Sequence, residues 1–376
     1  MKRKICFITA APATIDAFLQ RHIVTLAEEY EVTVVTDLSG TKLALPDYVA
    51  QKDISIPRQI SILSDLKALV KLISFISGAG FDAVISVTPK AGLLSMLSAF
   101  LCRVPVRLHW FTGQVWATRK GFMRKLLKAC DLITARSASH ILADSESQRQ
   151  FMLAEGISCA SKLNIIHKGS ISGVDLSRFA VNQEARADLR SSLGISDKTL
   201  LFLFLGRLNR DKGVPELVEA FSSLAEELPN IRLAIVGPDE QNLMPELEIL
   251  AKQHLSKIYF RGFTDKPENF IAAADVFVLP SHREGFGTSV IEAAAMGVPC
   301  IGSQIYGLED AIDHGVTGVL FPCGQVDDLK KVMQEMALSD ADRLQMGEAA
   351  KQRVEEDFDA VVITREFINY LRSIGL

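Results

Sequence analysis

The chain has 376 residues, about half of them apolar, with 41 Lys and Arg against 45 Asp and Glu. That length and composition suffice for two ordinary domains with sizeable cores. The net charge of −4 is unevenly spread, with +8 in residues 1–170 and −12 in the remainder. An anionic partner, either nucleic acid or a membrane surface, would suit the first half, and so would an accidental surface charge. Six cysteines, at 6, 102, 130, 159, 300 and 323, show no metal-ligand or CxxC spacing. They read as reduced cytosolic thiols.

Met1-Lys-Arg-Lys followed by ICFITAAPA mimics a short signal peptide, but Pro12 and Asp16 interrupt the apolar run. A buried first strand explains it better. The longest apolar helix, around Leu93 to Cys102, falls short of the ~20 residues that span a bilayer. Strands are expected over Lys4–Thr9, Glu31–Thr36, Ala83–Thr88, Val104–His109 and His140–Ala143. Helical periodicity covers Pro12–Glu29, Ser61–Ser77 and Pro89–Arg103 between them. The pattern restarts with apolar runs at 200–207, 231–237, 257–262, 275–280, 298–303 and 318–322. Continuous apolar strands imply parallel sheets covered on both faces. Two Rossmann-like, doubly wound α/β domains follow, expected at 1–170 and 171–357 and facing a cleft. A last helix, 358–376, carries Val362, Phe367, Ile368 and Leu371 on one side.

Ligands of such domains sit at the carboxyl ends of the strands. GRLNRDKG, residues 206–213, follows the strongest strand of the second half. Arg207 offers a fork of donors and Lys212 a mobile point charge, which together suit a diphosphate. Two basic residues in a loop can equally be solvated. Further on, DVFVLP is a strand, SHREGFG a loop and TSVIEAAAMG a helix, with Thr288 or Ser289 as its cap. Gly285 and Gly287 allow close backbone approach, and free N–H groups at 287–289 make an anion site. Glu284 lies on the loop and Glu292 one turn into the helix. A carboxylate there can accept bonds from paired ribose hydroxyls.

The combination of Arg207, Lys212 and Glu284–Glu292 inside EGFGTSVIEAAAMGVPCIGS resembles the retaining glycosyltransferases of family 4, which have the GT-B fold. GVDLSRF, 173–179, is similar to that family's segment after the interdomain crossing. The resemblance implies that Arg207 and Lys212 hold the donor diphosphate, helped by the N–H groups of Thr288 and Ser289 and by the Gly285–Phe286–Gly287 turn. It implies Glu292 on the ribose, Glu284 at the donor sugar and the backbone of Gly262 and Phe263 at the base. His109 matches the family's histidine beside the anomeric carbon. Arg, Lys and helix N–H groups aimed at the leaving oxygen lower the barrier without a metal, so no cofactor or metal is expected. Asp340–Asp342 and Asp357–Asp359 read as solvated surface. One departure is TAAPATIDAF after the first strand, where the family often has a glycine-rich loop.

Residues 107–130 hold both tryptophans. Trp110 and Trp116 would suit a sugar ring or a lipid interface, or equally a core. Lys120, Arg124 and Lys128 recur at i, i+4, i+8 on a helix with Phe122, Met123, Leu126 and Leu127. That is a basic amphipathic helix, consistent with anionic lipid or with an ordinary packed helix. The resemblance then implies transfer of a hexose or N-acetylhexosamine from a nucleotide sugar, with UDP favoured. The acceptor would be an undecaprenyl-diphosphate-linked saccharide at the inner face of the plasma membrane. Another GT-B reaction, such as 2-epimerisation, or a non-catalytic assembly role are the alternatives. No nucleic-acid recognition motif appears, TAAPAT is not the GxGxxG of an NAD enzyme, and the oligomeric state is unknown.

Overall fold

The computed structural model describes residues 2–40, 42–57 and 61–376. It divides into unit 1, Met1–Gly173 with Ala360–Leu376, and unit 2, Val174–Asp359. The division falls two to three residues beyond the expected limits, because Val174 pairs with Asp359 and donates to Phe358 O. That tie fixes Phe358 in unit 2, where its ring lies 5.1 Å from that of Phe286.

Unit 1 begins with β1 (Lys4–Ile8). A broken helix follows: α1 (Pro12–Thr14), a π turn (Ile15–Leu19) and α2 (Gln20–Glu29). Next come β2 (Glu31–Thr36), β3 (Ala50–Asp53), α3 (Ile62–Ala79), β4 (Ala83–Val87), α4 (Pro89–Leu101) and β5 (Val106–Phe111). The first part of the unit ends with α5 (Gly121–Ser137), β6 (His140–Ala143), α6 (Glu146–Ala154) and β7 (Leu163–Ile165). All seven strands are parallel, in the order β3-β2-β1-β4-β5-β6-β7. Alternation across β1 sends Ile5 and Phe7 to one core and Cys6 and Ile8 to the other. Helices cover both faces, as continuous apolar strands require.

Unit 2 contains α7 (Gln183–Ser192), β8 (Leu200–Leu205), a 3₁₀ turn (Arg210–Lys212), α8 (Val214–Glu227), β9 (Ile231–Val236) and α9 (Met244–Ala251). Then follow β10 (Ile258–Arg261), α10 (Pro267–Ala273), β11 (Val276–Leu279), α11 (Thr288–Ala295), β12 (Cys300–Gln304) and α12 (Leu308–Ala311). It closes with β13 (Gly318–Pro322), α13 (Val326–Leu338) and α14 (Asp340–Asp357). The six strands are parallel, in the order β10-β9-β8-β11-β12-β13. The order reverses between β8 and β11, so the strand-end loops there flank the crevice where doubly wound sheets take ligands.

The final helix, α15 (Ala360–Ser373), belongs to unit 1. It buries Ile363, Phe367 and Leu371, at i, i+4, i+8, so Ile363 rather than Val362 leads the stripe. His22 on α2 fixes it further. His22 Nε2 donates to Ile171 O at 2.6 Å, and Nδ1 accepts from the Thr364 hydroxyl at 2.9 Å. Burial lowers the pKa of His22 to about 4, which keeps the ring neutral for that pair of bonds.

Two strands escape the sequence pattern. β3 reads AQKD and is mostly exposed at one sheet edge, and β7 has three residues at the other. Edge strands carry little apolar signal. All six cysteines are free thiols.

The amino ends of β8 and β11 are tied together by a largely buried ionic knot, opposite the ends from which their following loops leave. Arg190 on α7 is fully buried and donates to Asp275 Oδ2, Ala273 O and Ser196 O at 3.2, 2.9 and 2.7 Å. Arg186 meets the other Asp275 oxygen at 2.6 Å, and Leu201 N–H donates to Oδ2 at 2.7 Å. Removing Asp275 leaves the buried Arg190 without its nearest carboxylate. Asp275→Ala should therefore destabilise unit 2 by about 3 kcal/mol in denaturant unfolding; a loss under ~1 kcal/mol would show the knot to be dispensable.

Candidate active site

The loops after β8 and β11 meet through glycine. Gly213 has φ 67°, and a Cβ there would lie 2.0 Å from Pro280 O. Only glycine lets the start of α8 press on the end of β11. Around that contact, His282 N–H donates to Asp211 O at 2.8 Å, and Arg283 reaches Asp211 at 3.3 Å. Lys212 Nζ then lies 2.5 Å from Glu284 Oε1, which also accepts from Ser281 Oγ at 2.7 Å. Both side chains are largely covered, 19% and 12% exposed. The structure thus joins Lys212 and Glu284, 72 residues apart in sequence.

Arg207 is half exposed and makes a forked pair with Glu240, at 3.0 and 2.9 Å to its two oxygens. Asn209 steadies both: its Nδ2 donates to Glu240 at 3.2 Å, and its Oδ1 accepts from Lys212 N–H at 3.1 Å. Sequence reasoning missed Glu240, although GPDE ends a strand as the other site segments do. Both cations expected at a diphosphate are therefore paired with carboxylates.

The start of α11 differs from expectation. Thr288 is its first helical residue, Gly287 occupies the cap with φ 93°, and no side chain caps the helix. Thr288 and Ser289 are partly exposed. A Cβ on Gly287 would lie 2.6 Å from Leu308. With a side-chain cap absent, the first N–H groups stay available to an anion. Gly285 and Phe286 are buried, and the Phe286 ring packs in the core, so this turn can offer a ligand backbone only.

Glu292 is partly exposed and makes no hydrogen bond or ion pair among the described residues. Burial pushes its carboxyl up to about 7, opposed by Arg178 and aided by Glu268. Those two neighbours pair with each other at 2.9 Å. Gly262 and Phe263 follow β10 and are exposed, Phe263 by 76%. Asp340 pairs with Arg343 on α14, away from every strand end.

In unit 1, His109 sits inside β5 rather than at its end, because the strand runs two residues further than expected. It is 1% exposed. Ser86 on the neighbouring strand β4 lies 2.8 Å from Nδ1, and Phe111 meets the ring edge-on at 4.3 Å. Gly92 on α4 makes room, since a Cβ there would lie 2.2 Å from the ring. Burial lowers its pKa to about 3, so His109 is a neutral imidazole.

The two tryptophans offer no exposed face. Trp110 is 1% exposed, with Phe367 at 5.1 Å. Trp116 is fully buried, donates Nε1–H to Asp131 at 2.7 Å and stacks on Phe151 at 5.4 Å. The basic stripe is also revised. Arg124 and Lys128 lie over Trp116 at 5.0 and 5.4 Å and pair with Glu155 at 2.8 and 2.6 Å. Of the three, only Lys120 is exposed. The outward face of α5 instead shows Phe122, Met123, Leu126 and Ile133, with Lys125 and Arg136 exposed among them. Ile62, Leu63, Leu66 and Val70 on α3 are exposed too, beside Lys67 and Lys71.

Residues 185–353 match the family described as Glycosyl transferases group 1, and residues 17–167 the Glycosyl transferase 4-like domain. The chain is 28% identical over 333 residues to the capsular polysaccharide biosynthesis glycosyltransferase CapM of Staphylococcus aureus, covering 88% of this chain and 87% of that one. It is 26% identical over 314 residues to an Escherichia coli UDP-Gal:alpha-D-GlcNAc-diphosphoundecaprenol alpha-1,3-galactosyltransferase, covering 80% and 78%. Among solved structures, Anabaena HepE in complex with UDP and glucose superposes with a TM-score of 0.81 at 19% identity, over 99% of this chain and 100% of that one. That likeness shows the fold, which is GT-B. With two matched domains that between them take in the Lys212–Glu284 site and every strand but β1, the chain belongs to the group 1, family 4-like glycosyltransferases.

Proposed function

We propose that unit 2 grips the diphosphate of a nucleotide sugar, UDP-linked, and that the chain transfers its hexose or N-acetylhexosamine with retention of configuration. The acceptor is a hydroxyl of an undecaprenyl-diphosphate-linked saccharide in surface-glycan biosynthesis. The observation that carries this is the meeting of Lys212 and Glu284 at 2.5 Å, beside Arg207 and below an uncapped helix start. The acceptor named for the E. coli relative and the role named for CapM support the lipid-linked, surface-glycan reading.

Departure of a nucleoside diphosphate from the anomeric carbon builds negative charge on phosphate and positive charge on the sugar. Arg207, Lys212 and the N–H groups of Thr288 and Ser289 stabilise the first charge, and Glu284 the second. These groups supply the stabilisation without requiring a metal. Glu292 holds the ribose and the backbone at Gly262 and Phe263 the base. His109, neutral, exchanges a hydrogen bond with a substrate hydroxyl instead of contributing charge.

The tie between Arg207 and Glu240 makes the donor compete with a carboxylate. Glu240→Gln should tighten UDP binding about threefold, whereas Lys212→Ala should weaken it at least ~tenfold, by titration calorimetry. Glu284→Ala should bind UDP and lose transfer by two orders of magnitude or more, on the order of an oxyanion-donor deletion. Full turnover in Glu284→Ala would end its assigned role.

A pH signature accompanies Glu292. Ribose hydroxyls favour the charged carboxylate, so binding lowers a pKa that starts at about 7 and expels a proton. UDP affinity should therefore rise as pH increases toward 8 and fall as it drops below 7. Glu292→Gln should remove that component; an identical profile in both proteins would contradict the contact.

For the membrane, the outward apolar face of α5 with Lys120 and Lys125 fits an anionic surface, where apolar insertion and charge act together. Among the described residues no helix is long and apolar enough to cross a bilayer. Phe122→Ser with Lys125→Glu should abolish flotation with phosphatidylglycerol vesicles, while unchanged flotation would rule this face out.

A further inference from the structure

A second cluster of reactive side chains lies outside the proposed donor set. Cys323 follows β13 and is partly exposed. Its Sγ is 3.4 Å from His282 Nδ1, and His282 Nε2 lies 2.9 Å from Glu216 Oε1 in the first turn of α8. Thiol, imidazole and carboxylate come from three segments, following β13, β11 and β8, and meet in that order through the ring. Backbone fixes the root of the ring through the His282 N–H bond to Asp211 O, at 2.8 Å. Gly324, at φ 76°, clears the other side; a Cβ there would already lie 3.4 Å from His282 Cε1. Glu216 Oε2 is buried with no hydrogen-bond partner among the described residues, so the ring is the one side chain hydrogen-bonded to this carboxylate there. Bonds to Cys323 and Glu216 push His282 up to about 10 against the opposing effect of burial. The ring therefore keeps its proton between the sulfur and the carboxylate, and a cationic imidazole beside a sulfur is the setting in which a cysteine becomes nucleophilic.

We propose that Cys323 is a reactive-thiol modification site, with His282 and Glu216 as positioning residues, and that it takes up low-molecular-weight disulfides by exchange. In its thiolate form Cys323 attacks one sulfur of the disulfide. A new S–S bond forms as the old one breaks, Cys323 is oxidised, and the departing sulfur is reduced. The proton on His282 passes to the departing thiolate, leaving a neutral thiol and a neutral ring. A second thiol reverses the exchange. The other cysteines lack such a pair. Cys6 and Cys300 are buried, and burial drives both thiols up. Cys159 is exposed, and bonds from the Ser161 hydroxyl and from nearby backbone N–H groups lower its pKa, which makes it a stringent reference.

The test treats the full chain with 2-hydroxyethyl disulfide at pH 7 and follows each cysteine by peptide mass spectrometry. Cys323 should be modified about tenfold faster than Cys159. His282→Asn should bring Cys323 down to the Cys159 rate, and Glu216→Gln should slow it about threefold. Cys6 and Cys300 report the fold, since unfolding would expose them in the same digest. A Cys323 rate no higher than that of Cys159, or one unchanged in both variants with Cys6 and Cys300 still protected, overturns the proposal.

Discussion

The close approach of Gly213 to the carbonyl of Pro280 governs everything that follows it in unit 2. An alanine methyl there would sit 2.0 Å from the carbonyl oxygen, so the loops after β8 and β11 could no longer touch. Their contact is what places Lys212 on Glu284, His282 on Asp211 O and His282 on Glu216. The position is the one where strand order reverses, where neighbouring crossovers leave in opposite directions and a crevice opens. The glycine turns that geometric gap into a charged site.

The site is close to electroneutral as it stands. Arg207 is matched by Glu240 and Lys212 by Glu284. The Arg207 pair is exposed enough to contribute little to stability, so its consequence lies in binding. Each pair holds its cation in place and also occupies it. A single carboxylate ligand gains nothing by exchanging with Glu240. A diphosphate has two adjacent anionic groups, which can engage Arg207 and Lys212 together and leave oxygens for the start of α11. Under the proposed function, selectivity for a diphosphate over a monoanion would follow from what must be displaced.

Most of the fold was legible because it is written in period. Continuous apolar runs gave the central strands, their spacing gave parallel crossovers, and the strand ends named the loops to examine. What failed has physical causes. β3 and β7 are short edge strands without an apolar run. Thr288 is a natural cap by composition, but Gly287 with positive φ takes the cap because Leu308 fills the space beside it. Arg124 and Lys128 lie on the predicted helix, yet turn toward Trp116 and Glu155, a residue on the far side of β6 in sequence. Helical spacing identifies a face and leaves its partner open. Glu240 and the Cys323–His282–Glu216 cluster depend on contacts between distant loops, which no spacing rule contains.

The two sheets end in opposite chemistry. Around the strand ends of unit 2 lie ions: Arg207, Lys212, Glu240, Glu284 and protonated His282. In unit 1 burial pushes several interior titratable groups toward their neutral forms. His109 is lowered to about 3 and His22 to about 4, while Asp144 is raised to about 8 and Asp131 to about 7. Ser86, Gln114, Ser145 and Gln148 are buried with them. A set of neutral donors and acceptors has no field with which to hold a diphosphate, but it can exchange hydrogen bonds with hydroxyls at low desolvation cost. A polyhydroxylated acceptor, as proposed, would suit such a set, since its recognition needs geometry more than charge. The basic excess of the first half therefore lies outside its strand-end interior, on surfaces such as the outward face of α5. Charge and polarity are thus separated within unit 1 in a way that composition by half-chain could not reveal.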